Sequence, residues 1–311
     1  MLYLDEEQVG RLLRWEELIA AMERALADFS RGNVLAPVRG VLTIEEGKRY
    51  FGVMPAAAHD VMGLKAVSFY PANEGSSVPT HQAIVLLFRT DNGEPLAAID
   101  GRLITEMRTA AVSAAITKYL MPASSKVLGL LGSGVQAQSH LAALSSIVQF
   151  EEVRVWSRTP EHAERFARKH GAEAMEAEAA VRGADVIVVA TSSQEPVLEG
   201  AWLKAGAHVN AVGANRPTWR ELDDDAMRNT LVVDSREAVL QESGDVILSG
   251  AQIYAEIGEI FAGTKRAAAG ETTIFKSVGI AAEDLAAARL VYDAATKSNL
   301  EPLIINPVER A

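Results

Sequence analysis

Hydrophobic positions change their period along the chain, and each change marks a different kind of element. Over residues 15–29 apolar side chains recur at helical spacing (Leu18, Ile19, Met22, Leu26 and Phe29), with Gly32 placed to end the helix and Asp5 placed to cap a shorter one before it. From Pro37 the pattern shortens to β-rich pieces at 38–44, 49–54, 64–70 and 83–88, and Asp91-Asn92-Gly93 supplies a turn into 96–99. No helical stretch separates these pieces, so they predict an antiparallel or mixed sheet. A small-residue helix over 101–120 follows. Beyond Met121-Pro122 strands and helices alternate, with strands at 127–131, 152–156, 184–190, 208–212 and 231–234, and this predicts a parallel sheet. A last helix is expected at 282–295.

The first strand of the second region breaks into Gly132-Ser133-Gly134-Val135-Gln136-Ala137 before helical spacing resumes. In a strand–turn–helix order, Gly132 permits the turn, Gly134 admits a pyrophosphate to the backbone, and Ala137 lets the helix pack on the strand. The N–H groups at the helix start, Val135 and Gln136, favour an anion. Glycines also make ordinary strand-to-helix turns, but the strand before and the helix after favour a dinucleotide fold. The second strand ends in Ser157-Arg158-Thr159, where an acidic residue would hold an adenosine 2′-hydroxyl. A guanidinium between two hydroxyls suits a 2′-phosphate, so NADP(H) is expected over NAD(H). Thr159 before Pro160 is also a good helix cap, which leaves Arg158 unexplained. Ala190 and Thr191 end the next strand and are expected to face the cofactor, as is Val212, which leads into a loop over 213–217 expected near a nicotinamide. Asp223-Asp224-Asp225 reads as a helix cap rather than a metal site.

Charge and composition narrow the chemistry. The 311 residues, 49% hydrophobic and 23% charged, are enough for two domains. A formal net charge of -11 without a dense Lys/Arg run argues against a nucleic-acid partner, so an anionic cofactor must be held by local groups. The absence of cysteine excludes disulfides, thiolate catalysis and Cys-ligated zinc, and the six histidines show no metal-ligand spacing. The start MLYLDEEQVG has neither a basic segment nor a long apolar core, and no apolar run reaches membrane length. A cytoplasmic protein without membrane partners is expected. Arg39, Lys65 and Arg108 each interrupt an otherwise apolar segment. Singly, each side chain can turn to solvent; together they suggest an anion site, with two arginines to grip a carboxylate and a lysine whose pKa burial can lower.

Several long strings carry a resemblance: PVR (37–39), GVMP (52–55), LKAV (64–67), VPTHQA (78–83), DGRLITEMRTAAVSA (100–114), LGSGVQAQSH (131–140), VRVWSRT (153–159), AVGANRPTWRELDD (211–224), VDSREAVLQESGDV (233–246) and FKSVGIAAEDLAAARLVYDA (275–294). Together they cover nearly the whole chain. It resembles the ornithine cyclodeaminase/μ-crystallin family, and most closely its NADPH-dependent ketimine reductases. The resemblance implies a Rossmann-type doubly wound α/β domain over 121–276. It also implies a discontinuous α+β substrate-binding and dimerisation domain, 1–120 with 277–311, the chain returning to it after the nucleotide domain. In that family a cleft between the domains sets the nicotinamide opposite an amino or imino acid.

Carried over position by position, the resemblance makes Arg39 and Arg108 carboxylate ligands and puts Lys65 beside the reacting C–N bond. Thr80, His81, Gln82, Arg108 and Thr109 line the cofactor from the first domain, and Ser277 and Val278 line it where the return begins. His81 by itself also reads as a structural histidine. Two departures bear on the reaction. Cyclodeaminases carry acidic residues where this chain has Gly52 and Asn215, and neither can serve as a base, so Asn215 is expected to bind substrate and ornithine cyclodeamination is disfavoured. The implied activity is NADPH-dependent reduction of a cyclic ketimine carboxylate to an L-cyclic amino acid, in a homodimer. The alternatives are an NADP-dependent amino-acid dehydrogenase of alanine or arginine type acting on a keto acid, and a non-enzymatic small-carboxylate binder.

Overall fold

The computed structural model describes residues 1–298 and the pair Leu303–Ile304. The chain forms two compact units, Met1–Arg108 with Ile280–Ala311, and Thr109–Gly279. The first division falls inside the helix Gly101–Leu120 rather than at its end.

The strands of the first unit are β1 (Leu2–Leu4), β2 (Val34–Leu35), β3 (Gly40–Glu45), β4 (Arg49–Ala58), β5 (Val61–Phe69), β6 (His81–Arg89) and β7 (Pro95–Asp100). They form a mixed sheet in the order β1-β7-β6-β5-β4-β2, with β3 also on β4 and Leu303–Ile304 antiparallel to β1. Only β1 and β7 run parallel; the remainder is antiparallel, as expected where no crossover helix intervenes. Along β4 the alternate residues Tyr50, Gly52, Met54 and Ala56 are buried. The helices Trp15–Ser30 and Ala281–Lys297 pack together, and the second lies on β4, β5 and β6. Gly63 lets it come close: a Cβ there would strike the Leu86 carbonyl and meet Leu285 Cδ1 at 3.2 Å. A larger residue at Gly63 would push the acidic first turn of that helix away from β5.

The second unit has β8 (Val127–Leu131), β9 (Glu152–Trp156), β10 (Glu173–Ala174), β11 (Val186–Val189), β12 (His208–Ala211), β13 (Thr230–Val233), β14 (Ile253–Glu256) and β15 (Thr273–Lys276). All pair in parallel, in the order β10-β9-β8-β11-β12-β15-β13-β14. The central strands read as continuous apolar runs because helices cover both faces, and every residue of β11 is fully buried. The fold is therefore α/β, a doubly wound parallel sheet in one unit and a mixed sheet in the other. Strand ends shift by a few residues from the sequence pattern, and Arg39 lies just before β3 rather than within it. Among the described residues no helix is long and apolar enough to cross a membrane.

Candidate active site

Lys65, Arg108, Glu283 and Asp284 are all buried and meet in the first unit. Lys65 projects from the middle of β5, between Met54 of β4 and Val85 of β6. The two carboxylates come from the first turn of helix Ala281–Lys297, where the helix dipole favours negative charge. Lys65 Nζ donates to Asp284 Oδ1 at 2.9 Å, stands 2.8 Å from Oδ2, and lies 3.4 Å from Thr105 Oγ1. Arg108 Nε donates to Asp284 Oδ1 at 3.0 Å, and its Nη1 pairs with Glu283 Oε2. Asp284 thus bridges lysine and arginine, while Glu283 holds the far side of the guanidinium. Arg39, half-buried, adds a third positive charge that acts on both Lys65 and Asp284.

Burying such a set of charges is costly unless each is paired, and here Lys65 and Arg108 are paired with the two carboxylates. The Lys65 pKa is lowered from 10.5 to about 8: burial is the largest cause, Arg108 and Arg39 add to it, and Asp284 opposes it. Burial raises the Asp284 carboxyl, but the charges of Arg108 and Lys65 outweigh it and hold the pKa below the ordinary carboxylate value. His81, at the start of β6, is drawn to about 4 by burial first and then by Lys65 and Arg108. At neutral pH it is an uncharged hydrogen-bonding group. Thr80 is half-buried beside it and Gln82 is exposed.

In the second unit the remaining predicted residues line the carboxyl edge of the parallel sheet. Gly132 ends β8 with φ +114°, and a Cβ there would collide with the Ala190 carbonyl after β11. Nothing lies within 4 Å of the position a Gly134 Cβ would take, and Gly134 caps helix Val135–Ser145 without any side chain closing its first turn. The open glycine, the uncapped N–H groups of Val135 and Gln136, and the helix dipole fit a pyrophosphate. Ser157, Arg158 and Thr159 follow β9, with Arg158 and Thr159 exposed. Thr159 occupies the N-cap position of helix Pro160–His170, yet its side chain makes no capping hydrogen bond. Its hydroxyl is therefore not committed to the helix. Thr191 follows β11 and Val212 follows β12, with Asn215 exposed in the loop beyond. Ser277 and Val278, after β15, are buried, and the Ser277 hydroxyl and Val278 N–H both donate to Asp234 Oδ2 at 2.8 Å. Thr109 opens this unit directly after Arg108. Asp223 accepts from Ala226 N at 2.7 Å, capping its helix, and no metal-ligating group of three appears among the described residues.

Sequence reading missed the acidic members of both regions: Glu283, Asp284, Glu221 and Asp234. A signal existed for the first pair, because two adjacent acids interrupt the small-residue run Ala281-Ala282-Glu283-Asp284-Leu285 in the same way that the three basic residues interrupt theirs.

The sequence over residues 2–299 matches the model of the ornithine cyclodeaminase/mu-crystallin family. The chain is 52% identical over 301 residues to ketimine reductase mu-crystallin of Mus musculus, covering 94% of this chain and 96% of the relative. A solved structure of Thermococcus litoralis Δ1-pyrroline-2-carboxylate reductase with NADH and L-proline superposes with a TM-score of 0.90 at 37% identity, covering 96% and 98% of the two chains. An archaeal alanine dehydrogenase dimer with bound NAD gives 0.90 at 33% identity, covering 96% and 97%. With its two-unit fold, its glycine-lined sheet edge and a family match that runs nearly end to end, the chain belongs to the ornithine cyclodeaminase/mu-crystallin family.

Proposed function

We propose that this protein reduces the C=N bond of a cyclic ketimine carboxylate to the L-cyclic amino acid, with NADPH as the hydride donor. The observation that carries the reading is the buried lysine of β5, held by Asp284 among two arginines, in a chain half identical to a ketimine reductase. When bound, the reduced nicotinamide supplies the hydride. The protein's own task is to fix the imine carbon and protonate its nitrogen, since an iminium accepts hydride far more readily than a neutral imine. Arg39 and Arg108 hold the substrate carboxylate, and Lys65 delivers the proton from Nζ with a pKa suited to neutral pH. Asn215 and Gly52 offer no base for ornithine cyclodeamination.

The likeness to an archaeal alanine dehydrogenase keeps amino-acid dehydrogenase activity as the second reading. NADPH oxidation measured with a cyclic ketimine carboxylate, and with a keto acid with and without ammonia, separates the two. Turnover of the cyclic imine independent of ammonia is expected, and turnover confined to keto acid plus ammonia would replace the proposal.

NADPH is proposed over NADH on the strength of Ser157-Arg158-Thr159. Arg158→Ala is expected to erode that preference by about 1.5–3 kcal/mol, the worth of a charge-assisted hydrogen bond, read as the ratio of kcat/KM for the two cofactors. An unmodified protein that uses both equally would contradict it.

A homodimer is proposed from the outer edge of the first sheet. In β3 five consecutive positions are exposed, so both faces are bare, and these include Val41, Leu42 and Ile44, with Leu35 of β2 72% exposed nearby. An apolar strand open on both faces invites a partner surface. Light scattering is expected to give twice the 33.3 kDa chain mass. The single-chain mass at low concentration would exclude the dimer.

A further inference from the structure

Glu221 is fully buried, lies outside every predicted site, and joins two separate loops of the second unit. Its Oε1 accepts from Thr191 N and Thr191 Oγ1, both at 2.7 Å. Its Oε2 accepts from Gly213 N at 2.7 Å and Ala214 N at 2.8 Å. Thr191 follows β11 and Gly213-Ala214 follow β12, so one carboxylate ties together two neighbouring loops at the carboxyl edge of the sheet. The strand order reverses between β8 and β11, with β9 and Arg158 on one side and β11 and β12 on the other. A dinucleotide lies across such a reversal, outside the carboxyl ends of the strands. With its adenosine 2′-phosphate end at Arg158, its nicotinamide half falls over β11 and β12.

We infer that Glu221 is a positioning residue: it sets the two loops that receive the nicotinamide half of the cofactor, while the adenosine half is bound without it. The inference rests on the cofactor reading given above.

The chemistry of the four contacts favours the carboxylate. Three of the partners are backbone N–H groups, which can only donate, and the fourth is the Thr191 hydroxyl, so an amide of the same shape turns its NH2 group toward at least one N–H. Burial raises the Glu221 pKa, as does Asp245, while the Lys276 charge and the Thr191 hydrogen bonds act to lower it. Lys276, fully buried at the end of β15, is a single cation set between two carboxylates. Its Nζ is 3.9 Å from Glu221 Oε2 and 2.9 Å from Asp245 Oδ2. Asp245 Oδ1 in turn accepts from Glu221 N at 2.8 Å and Leu222 N at 3.0 Å, fixing the backbone that carries Glu221. Gly213 completes the arrangement, because a Cβ there would strike both the Thr191 carbonyl and the Glu221 carboxylate. The same sheet offers an internal comparison at its opposite edge. Asp185, also buried, accepts from Lys126 N at 2.7 Å and Val127 N at 2.9 Å and pairs with Lys204, but at the amino ends of β8 and β11.

The test is calorimetric titration of the full-length protein with NADPH and with 2′,5′-ADP, which carries only the adenosine half. Glu221→Gln places an NH2 group against N–H donors, and the dissociation constant for NADPH is expected to rise about tenfold, the effect of one buried unsatisfied donor. Binding of 2′,5′-ADP should stay within about twofold. Thr191→Val, which removes one of the four hydrogen bonds, should move NADPH in the same direction by less, and it serves if the glutamine variant does not fold. Asp185→Asn should lower the melting temperature without separating the two ligands. Equal weakening of both ligands by Glu221→Gln, no weakening of either, or the same selective loss in Asp185→Asn would overturn the inference. An unmodified protein that binds neither ligand would overturn the cofactor reading itself, and a protein that binds both keeps the two questions apart.

Discussion

Lys65→Ala is expected to lower turnover of a cyclic ketimine carboxylate by about 10²–10⁴-fold, the usual worth of a general acid, while NADPH still binds. The size of the effect follows from the surroundings of Nζ. It is buried and donates to Asp284, and an arginine guanidinium does not serve as an acid near neutrality. With its pKa near 8, Lys65 is mostly protonated at pH 7 and loses the proton as pH rises. The rate should therefore fall on the alkaline side of about pH 8 in the unmodified protein, and that limb should vanish from the residual activity of Lys65→Ala. Stopped-flow hydride transfer across pH 6–10 reads both. Full activity in the alanine variant would remove the proposed proton donor.

Asp284→Asn is expected to have the second largest effect, on stability and on the position of that limb together. Removing one partner of a buried charge set is costly, about 3–5 kcal/mol; here it takes the carboxylate from Lys65 and leaves Arg108 with Glu283. Asp284 raises the lysine pKa, so its loss must move the alkaline limb below about pH 8. The linkage has the same sign for both residues, because both folded pKa values are lowered, but it acts in different pH windows. Lys65 has a folded pKa below its ordinary 10.5, so between about 8 and 10.5 the unfolded chain binds more protons and the lysine's contribution to stability improves as pH rises. Asp284 has a folded pKa below the ordinary 3.8; its contribution is present above that value and disappears as pH falls through the folded pKa. Urea unfolding at pH 7, with the pH–rate profile, tests the pair. A variant as stable as the unmodified protein, with its limb unmoved, would show that Asp284 does not govern the lysine.

Much of the architecture was legible because the period of the hydrophobic pattern follows from which faces are buried. The alternating residues of β4 and the unbroken apolar run of β11 each announce their sheet type. Gly132 and Gly134 were legible for a related reason: one needs a left-handed backbone and the other an empty Cβ position, and glycine provides both. Basic residues in apolar segments also stood out. Their acidic partners did not, because nothing local marks which buried carboxylate faces which cation. Asp284 lies 219 residues from Lys65, and only the return of the chain to the first unit brings them together. Glu221 was hidden for a different reason. Three of its four partners are backbone N–H groups, which every residue except proline carries, so no side-chain pattern reports them.

The most direct test of the account is to follow NADPH absorbance with Δ1-pyrroline-2-carboxylate and, in a parallel reaction, ammonia release from L-ornithine with NAD. Consumption of NADPH with one equivalent of L-proline formed, and no ammonia from ornithine, is the predicted result. Conversion of ornithine to proline without reduction of the cyclic imine would contradict it.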